Sequence, residues 1–120
     1  MTPSQTNQLE RLGKAVERMG THTLADLFLS VKEGKVQLWS EGGLLLATEV
    51  ITYPRLKSLR YIAVGGEMID SRSLQNRVDT WGREQGCTRA ETIGRKGWER
   101  AHLHASADWT RWGGFWLKDL

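Results

Sequence analysis

The chain has 120 residues, with 17 Lys or Arg against 14 Asp or Glu for a formal charge of +3, and it is 39% hydrophobic. A chain of this length buries roughly two-thirds of its unfolded surface, enough for one core, and its balance of apolar and charged residues excludes disordered and fibrous classes. The longest apolar run, residues 43–47, is far short of the ~20 residues a membrane-spanning helix needs. No basic segment followed by an apolar stretch opens the chain, so retention in the cytoplasm is expected. The single cysteine, Cys87, makes neither an internal disulfide nor a thiolate metal cage and reads as a small buried hydrophobe.

Thr2-Pro3-Ser4-Gln5 has the form of a helix start, with a capping hydroxyl, proline at the first helical position and a glutamine able to reach back. Leu9, Leu12, Val16 and Met19 follow as one apolar stripe that stops at Gly20, so residues 1–20 are expected to be an amphipathic docking helix ahead of a domain over 21–120. Thr23-Leu24-Ala25-Asp26 repeats the start signal, and Leu24, Leu27, Phe28 and Val31 make a second stripe that ends at Gly34. The period then changes. Residues 36–39 and 44–53 are rich in β-branched and aromatic residues, and Ser40-Glu41-Gly42-Gly43 between them predicts a hairpin turn.

Pro54-Arg55 breaks the second strand, and residues 59–64 alternate in a third that ends at Gly65-Gly66. Asp70-Ser71 offers helix caps, Leu74, Val78 and Trp81 form an apolar face, and Gly86 ends that helix before a strand at 87–93. This strand–helix–strand unit fits a parallel crossover. Gly94-Arg95-Lys96-Gly97 reads as a loop, Trp98 and Ala101 as a short helix, and residues 115–117 as a last strand. The sum is an α+β fold, a mixed and mostly antiparallel sheet with helices on both faces.

The isoelectric point near 9.3 raises a nucleic-acid reading. Acidic residues nevertheless interrupt the basic ones throughout, as Glu67 and Asp70 do between Arg60 and Arg72. A solvated mixed surface is favoured over a phosphate track, and nucleic-acid binding is not.

The element order, together with Thr48-Glu49-Val50, Tyr53-Pro54, Gly65-Gly66, Gly86-Cys87, Gly94-Arg95-Lys96-Gly97-Trp98 and the closing Leu117-Lys118-Asp119-Leu120, resembles small GNAT-like proteins of tailed bacteriophages and prophages. The resemblance covers roughly residues 23–120 and implies a bent mixed sheet in which acyl-CoA wedges where the central strands splay. It makes acetyl-CoA the cofactor of any enzymatic version, with backbone at Ile62, Val64, Gly65 and Gly66 and the side chain of Arg72 as cofactor-binding candidates and Glu49, Glu67 and His104 as catalytic ones.

The family's motifs are degenerate here. Its Gln/Arg-x-x-Gly-x-Gly/Ala loop is replaced by Gly65-Gly66-Glu67-Met68-Ile69-Asp70, whose acids oppose a diphosphate. Its Asn-x-x-Ala-x-x-x-Tyr, anchored on Ala101, finds Trp98 and Ala105. His104 is adjacent but points about 100° away on a helix, and Glu49 is equally explained as the partner of an arginine such as Arg60.

The resemblance therefore implies a non-catalytic structural or virion-associated interaction protein, made in the host cytoplasm, carried in the virion and joined to other phage proteins in an oligomeric assembly. An acyl-CoA-dependent N-acetyltransferase and a nucleic-acid-binding accessory protein are the alternatives. No metal site follows from the spacing of His22, Cys87, His102 and His104. Of six tryptophans, Trp109, Trp112 and Trp116 crowd the glycine-broken segment 109–116. That segment reads either as a partner interface of Trp109, Arg111, Trp112, Phe115 and Trp116, or as a hairpin packed on the core.

Overall fold

A computed structural model describes residues 10, 13–14, 23–66, 71–93, 109–112 and 115–120. Of the expected first helix only Glu10, Gly13 and Lys14 are described, all helical. The loop at 94–97 and the helix at Trp98 and Ala101 lie outside the described residues.

Helix α1 spans Leu24–Lys32. Its start is a reciprocal cap, Asp26 N–H donating to Thr23 Oγ1 at 3.1 Å and Thr23 N–H to Asp26 Oδ2 at 2.9 Å, so two otherwise orphaned amides are satisfied. The predicted stripe is narrower than expected. Leu27 is buried, but Phe28 and Leu29 are 41% and 56% exposed, because nine residues over one sheet face present a single turn to it.

Strands β1 (Val36–Glu41) and β2 (Leu44–Thr52) form the predicted hairpin. Gly42 takes the first turn position at φ 58°, a region that costs other residues. Strand β3 (Lys57–Gly66) pairs antiparallel with β2. Its register shifts between the Ala47–Ala63 and Thr48–Tyr61 pairs, leaving Ile62 as an extra residue in a β-bulge.

Helix α2 (Arg72–Glu84) leads to β4 (Arg89–Ile93), which runs parallel to β3. Ser71 occupies the cap position but makes no capping bond to the helix amides; its Oγ accepts from Gln75 Nε2 at 2.9 Å, a departure from the sequence expectation. Gly82 lies against the sheet, where an added Cβ would stand 2.9 Å from Leu59 Cδ2.

Strands β5 (Thr110–Trp112) and β6 (Phe115–Asp119) complete a six-stranded sheet of order β1-β2-β3-β4-β6-β5. β5 and β6 form a hairpin, one of the two readings of segment 109–116. β6 enters between β4 and β5 and pairs antiparallel with both.

The sheet buries both faces. On one, Leu44, Leu46, Leu59 and Tyr61 pack with Leu74 and Val78 of α2, and with Cys87, Ala90 and Trp109. On the other, Val36, Leu45, Ala47, Ile62 and Ala63 pack with Leu27 of α1. The fold is α+β with helices on both faces of a mixed sheet. No helix among the described residues is long and apolar enough to cross a membrane.

Candidate functional site

The centre of the sheet carries the unusual geometry. The ladder between parallel strands β3 and β4 covers only Ser58–Arg60 against Arg89–Glu91. From Tyr61 to Gly66, β3 continues on β2 with no strand partner on its other side among the described residues. At the point where pairing stops, Thr92 Oγ1 donates to the Tyr61 carbonyl at 3.1 Å, so a side chain satisfies the first acceptor the ladder leaves.

A charged cluster lies at the paired end. Glu91 is 3% exposed, and its Oε2 accepts from Tyr53 Oη at 3.1 Å, Arg60 Nε at 3.3 Å and Arg60 Nη2 at 3.2 Å. Burial pushes the Glu91 carboxyl up, but the neighbouring Ser58 and Tyr53 hydroxyls and the Arg60 guanidinium outweigh it and hold the group below the usual carboxylate range. Tyr53 and Arg60 are hydrogen-bonded to it, whereas Ser58 Oγ has no bonded partner among the described residues. Arg60 also faces Glu49 at 3.6 Å across the strands. Glu49, a base candidate, is thus bound in the arginine pairing that the hairpin alignment already suggested.

On the α2 face a second buried network joins distant segments. Lys118 Nζ is ion-paired with Asp79, each side chain 6% exposed, and donates to Gln75 Oε1 at 3.2 Å. Tyr61 Oη donates to Asp79 Oδ1 at 2.7 Å, and Trp109 Nε1 to Gln75 Oε1 at 2.8 Å. Burial first, then Asp79, holds the Tyr61 phenol well above its usual range. The ammonium sits 4.6 Å from the Trp109 ring centroid, a cation–π contact.

Trp109 is therefore 5% exposed and part of the core, in line with the core-packed hairpin reading of segment 109–116 and not with its place in a partner interface; its indole has a buried polar partner. Trp116 is half-buried against the same core, and Arg111 is exposed beside it in register. Phe115 is 46% exposed. Trp112 belongs to β5, but its side chain lies outside the described residues, as do Glu67 and His104. Of the cofactor-binding candidates, Ile62 is buried at the bulge, Val64 is half-buried, Gly65 and Gly66 pair with Leu45 and Leu44, and Arg72 is exposed in the first turn of α2. No group of three metal-ligating side chains occurs among the described residues.

A surface hollow of about 410 Å³ lies beside β1 between Trp39, Asn76, Arg77, Thr80, Trp81 and Glu84. Trp39 and Trp81 meet edge to face at 5.6 Å. Sequence reasoning missed Glu91, Asp79, Gln75 and Lys118, since polar residues at these positions read as surface.

No family model, curated protein or solved structure matches this chain.

Proposed function

We propose that the chain is a non-catalytic structural or virion-associated interaction protein of tailed bacteriophages or prophages, built on a degenerate GNAT-like fold. The observation that carries this reading is the state of the carboxylates at the central parallel pair. Glu91 is taken up by Tyr53 and Arg60, and Glu49 by the same Arg60. A general base needs a lone pair aimed at its substrate. Glu91 Oε2 is spent on Tyr53 and Arg60, and its buried Oε1 has no hydrogen bond among the described residues and faces Arg89 at 3.7 Å. Glu49 faces Arg60 at 3.6 Å, so both carboxylates are turned to cations of the sheet. They do not fit an acyl-transfer centre.

The GNAT-like part draws support from the strand order, with the last strand inserted between β4 and β5, a bulge in β3 and a parallel ladder that ends after Arg60. The same short ladder favours a second reading, an acyl-CoA-dependent N-acetyltransferase holding its cofactor along residues 62–66.

Calorimetric titration with acetyl-CoA separates the two. The interaction protein gives no binding at about 1 mM ligand; a dissociation constant near 1 µM overturns the proposal and puts the acetyltransferase first. Mass spectrometry of purified particles tests the virion-associated part, which fails if the chain is produced in the host yet absent from particles and from their assembly intermediates.

A further inference from the structure

Among the described residues, the two edges of the sheet are β1 and β5. β5 is three residues long. β1 runs six, Val-Gln-Leu-Trp-Ser-Glu, with neither proline nor lysine within it. Edge strands are ordinarily blunted by such residues, by bulges or by cover, because a bare row of amides and carbonyls templates another strand.

The outward groups of β1 can be assigned. The two-residue turn closes on the Glu41–Leu44 pair, and bonded and non-bonded pairs alternate from there. Gln37, Trp39 and Glu41 thus direct their backbone groups to β2, and Val36, Leu38 and Ser40 direct theirs outward. The Ser40 carbonyl accepts from exposed Arg77 Nη1 at 3.4 Å and keeps a second lone pair.

Side-chain chemistry selects the occupant. A two-fold axis normal to the sheet keeps each face of one copy continuous with the same face of the next, so opposed residues must point the same way. With Leu38 opposite Leu38 of a second copy, Lys35 stands opposite Glu41 and Glu41 opposite Lys35. Val36 then faces Ser40, and Gln37 faces Trp39 beside the Trp39–Trp81 hollow. Sliding by two residues in one direction brings Glu33 against Glu41; sliding in the other takes Lys35 past the strand to Gly43. Lys35 and Glu41, with side chains 73% and 35% exposed, pair within the chain with Glu33 at 3.0 Å and Arg77 at 3.2 Å, and Glu41 Oε1 also accepts from Ser73 at 3.2 Å. These are surface contacts of little net worth, and the dimer exchanges them or adds to them.

We propose that the protein self-associates by antiparallel pairing of β1 with β1 of a second copy, centred on Leu38 and fixed in register by two Lys35–Glu41 ion pairs. Two six-stranded sheets become one. About six backbone hydrogen bonds form, and because the contact is confined to an edge the dimer is reversible, with a dissociation constant on the order of micromolar. This inference stands independently of the function proposed above.

Sedimentation over about 1 µM to 1 mM tests it, with wild type moving from monomer to dimer. Lys35→Glu opposes two acids at each end and Glu41→Lys opposes two bases, so each variant alone dimerises at least about tenfold more weakly. An equimolar mixture of the two variants restores association, because one copy then carries acids at both positions and the other bases. Circular dichroism of each variant confirms that the fold is intact. A wild-type chain that stays monomeric at about 1 mM, single variants that dimerise like wild type, or a mixture that does not recover would each overturn the proposal.

Discussion

Glu91 and Glu49 show what a residue's neighbours do to its meaning. Glu49 and Arg60 face each other across β2 and β3, and the hairpin arithmetic that aligns them is visible in the sequence, since a turn fixes register locally. Glu91 reaches the same arginine from 31 residues away through a parallel crossover, whose register no local turn sets. Its held-down carboxyl carries a pH signature. The folded-state value lies below the unfolded one, so the stabilisation is present above the unfolded carboxylate range, near about 4.3, and is lost as pH falls through the folded value. Glu91→Gln should cost about 1–3 kcal/mol at pH 7 by weakening bonds to a charged acceptor. Thermal melts from pH 7 down to about 3 should show the gap to wild type narrowing as the wild-type acid protonates; a gap independent of pH would refute the assignment.

Among the elements, the β5–β6 hairpin and α2 depend on one another through charge. Lys118 of β6 and Asp79 of α2 are buried together, and removing one partner strands the other in the core. Lys118→Met should destabilise the protein by about 3–5 kcal/mol in urea unfolding. Asp79→Asn combined with Lys118→Met should recover more than half of that loss, since asparagine still accepts from Tyr61 and no lone charge remains; equal losses in the single and double variants would show that the pair is not the cause.

Helices α1 and α2 and the first four strands follow from period, caps and turns in the sequence, but β5 is legible there only as one of two readings of segment 109–116. Three residues are too few to establish an alternation, and their partner is recognised only once β6 is in place. Trp109 precedes β5, so no strand alternation in the sequence fixes the side to which it points. For α1 the spacing identifies the helix correctly but overstates its buried width, as exposed Phe28 shows.

For the whole molecule, the sheet order grades stability from the centre outward. β2 is paired on both sides over Leu44–Glu49 and carries core residues on both faces, β3 is paired on both sides only over Ser58–Arg60, and β5 is a three-residue edge. Native-state amide exchange should therefore be slowest within Leu44–Thr48 and fastest, among strand residues, in Thr110–Trp112; equal protection would mean that the sheet opens only as a unit. The place of β6 also matters before the native state exists. β6 pairs with both β4 and β5, and among the described residues β5 has no other strand partner. During synthesis the first three strands and α2 can assemble on the emerging chain, but the sheet stays open at β4 until residues 115–119 have cleared the ribosome. Until β6 pairs with it, β4, with its buried glutamate, is the surface a chaperone would meet.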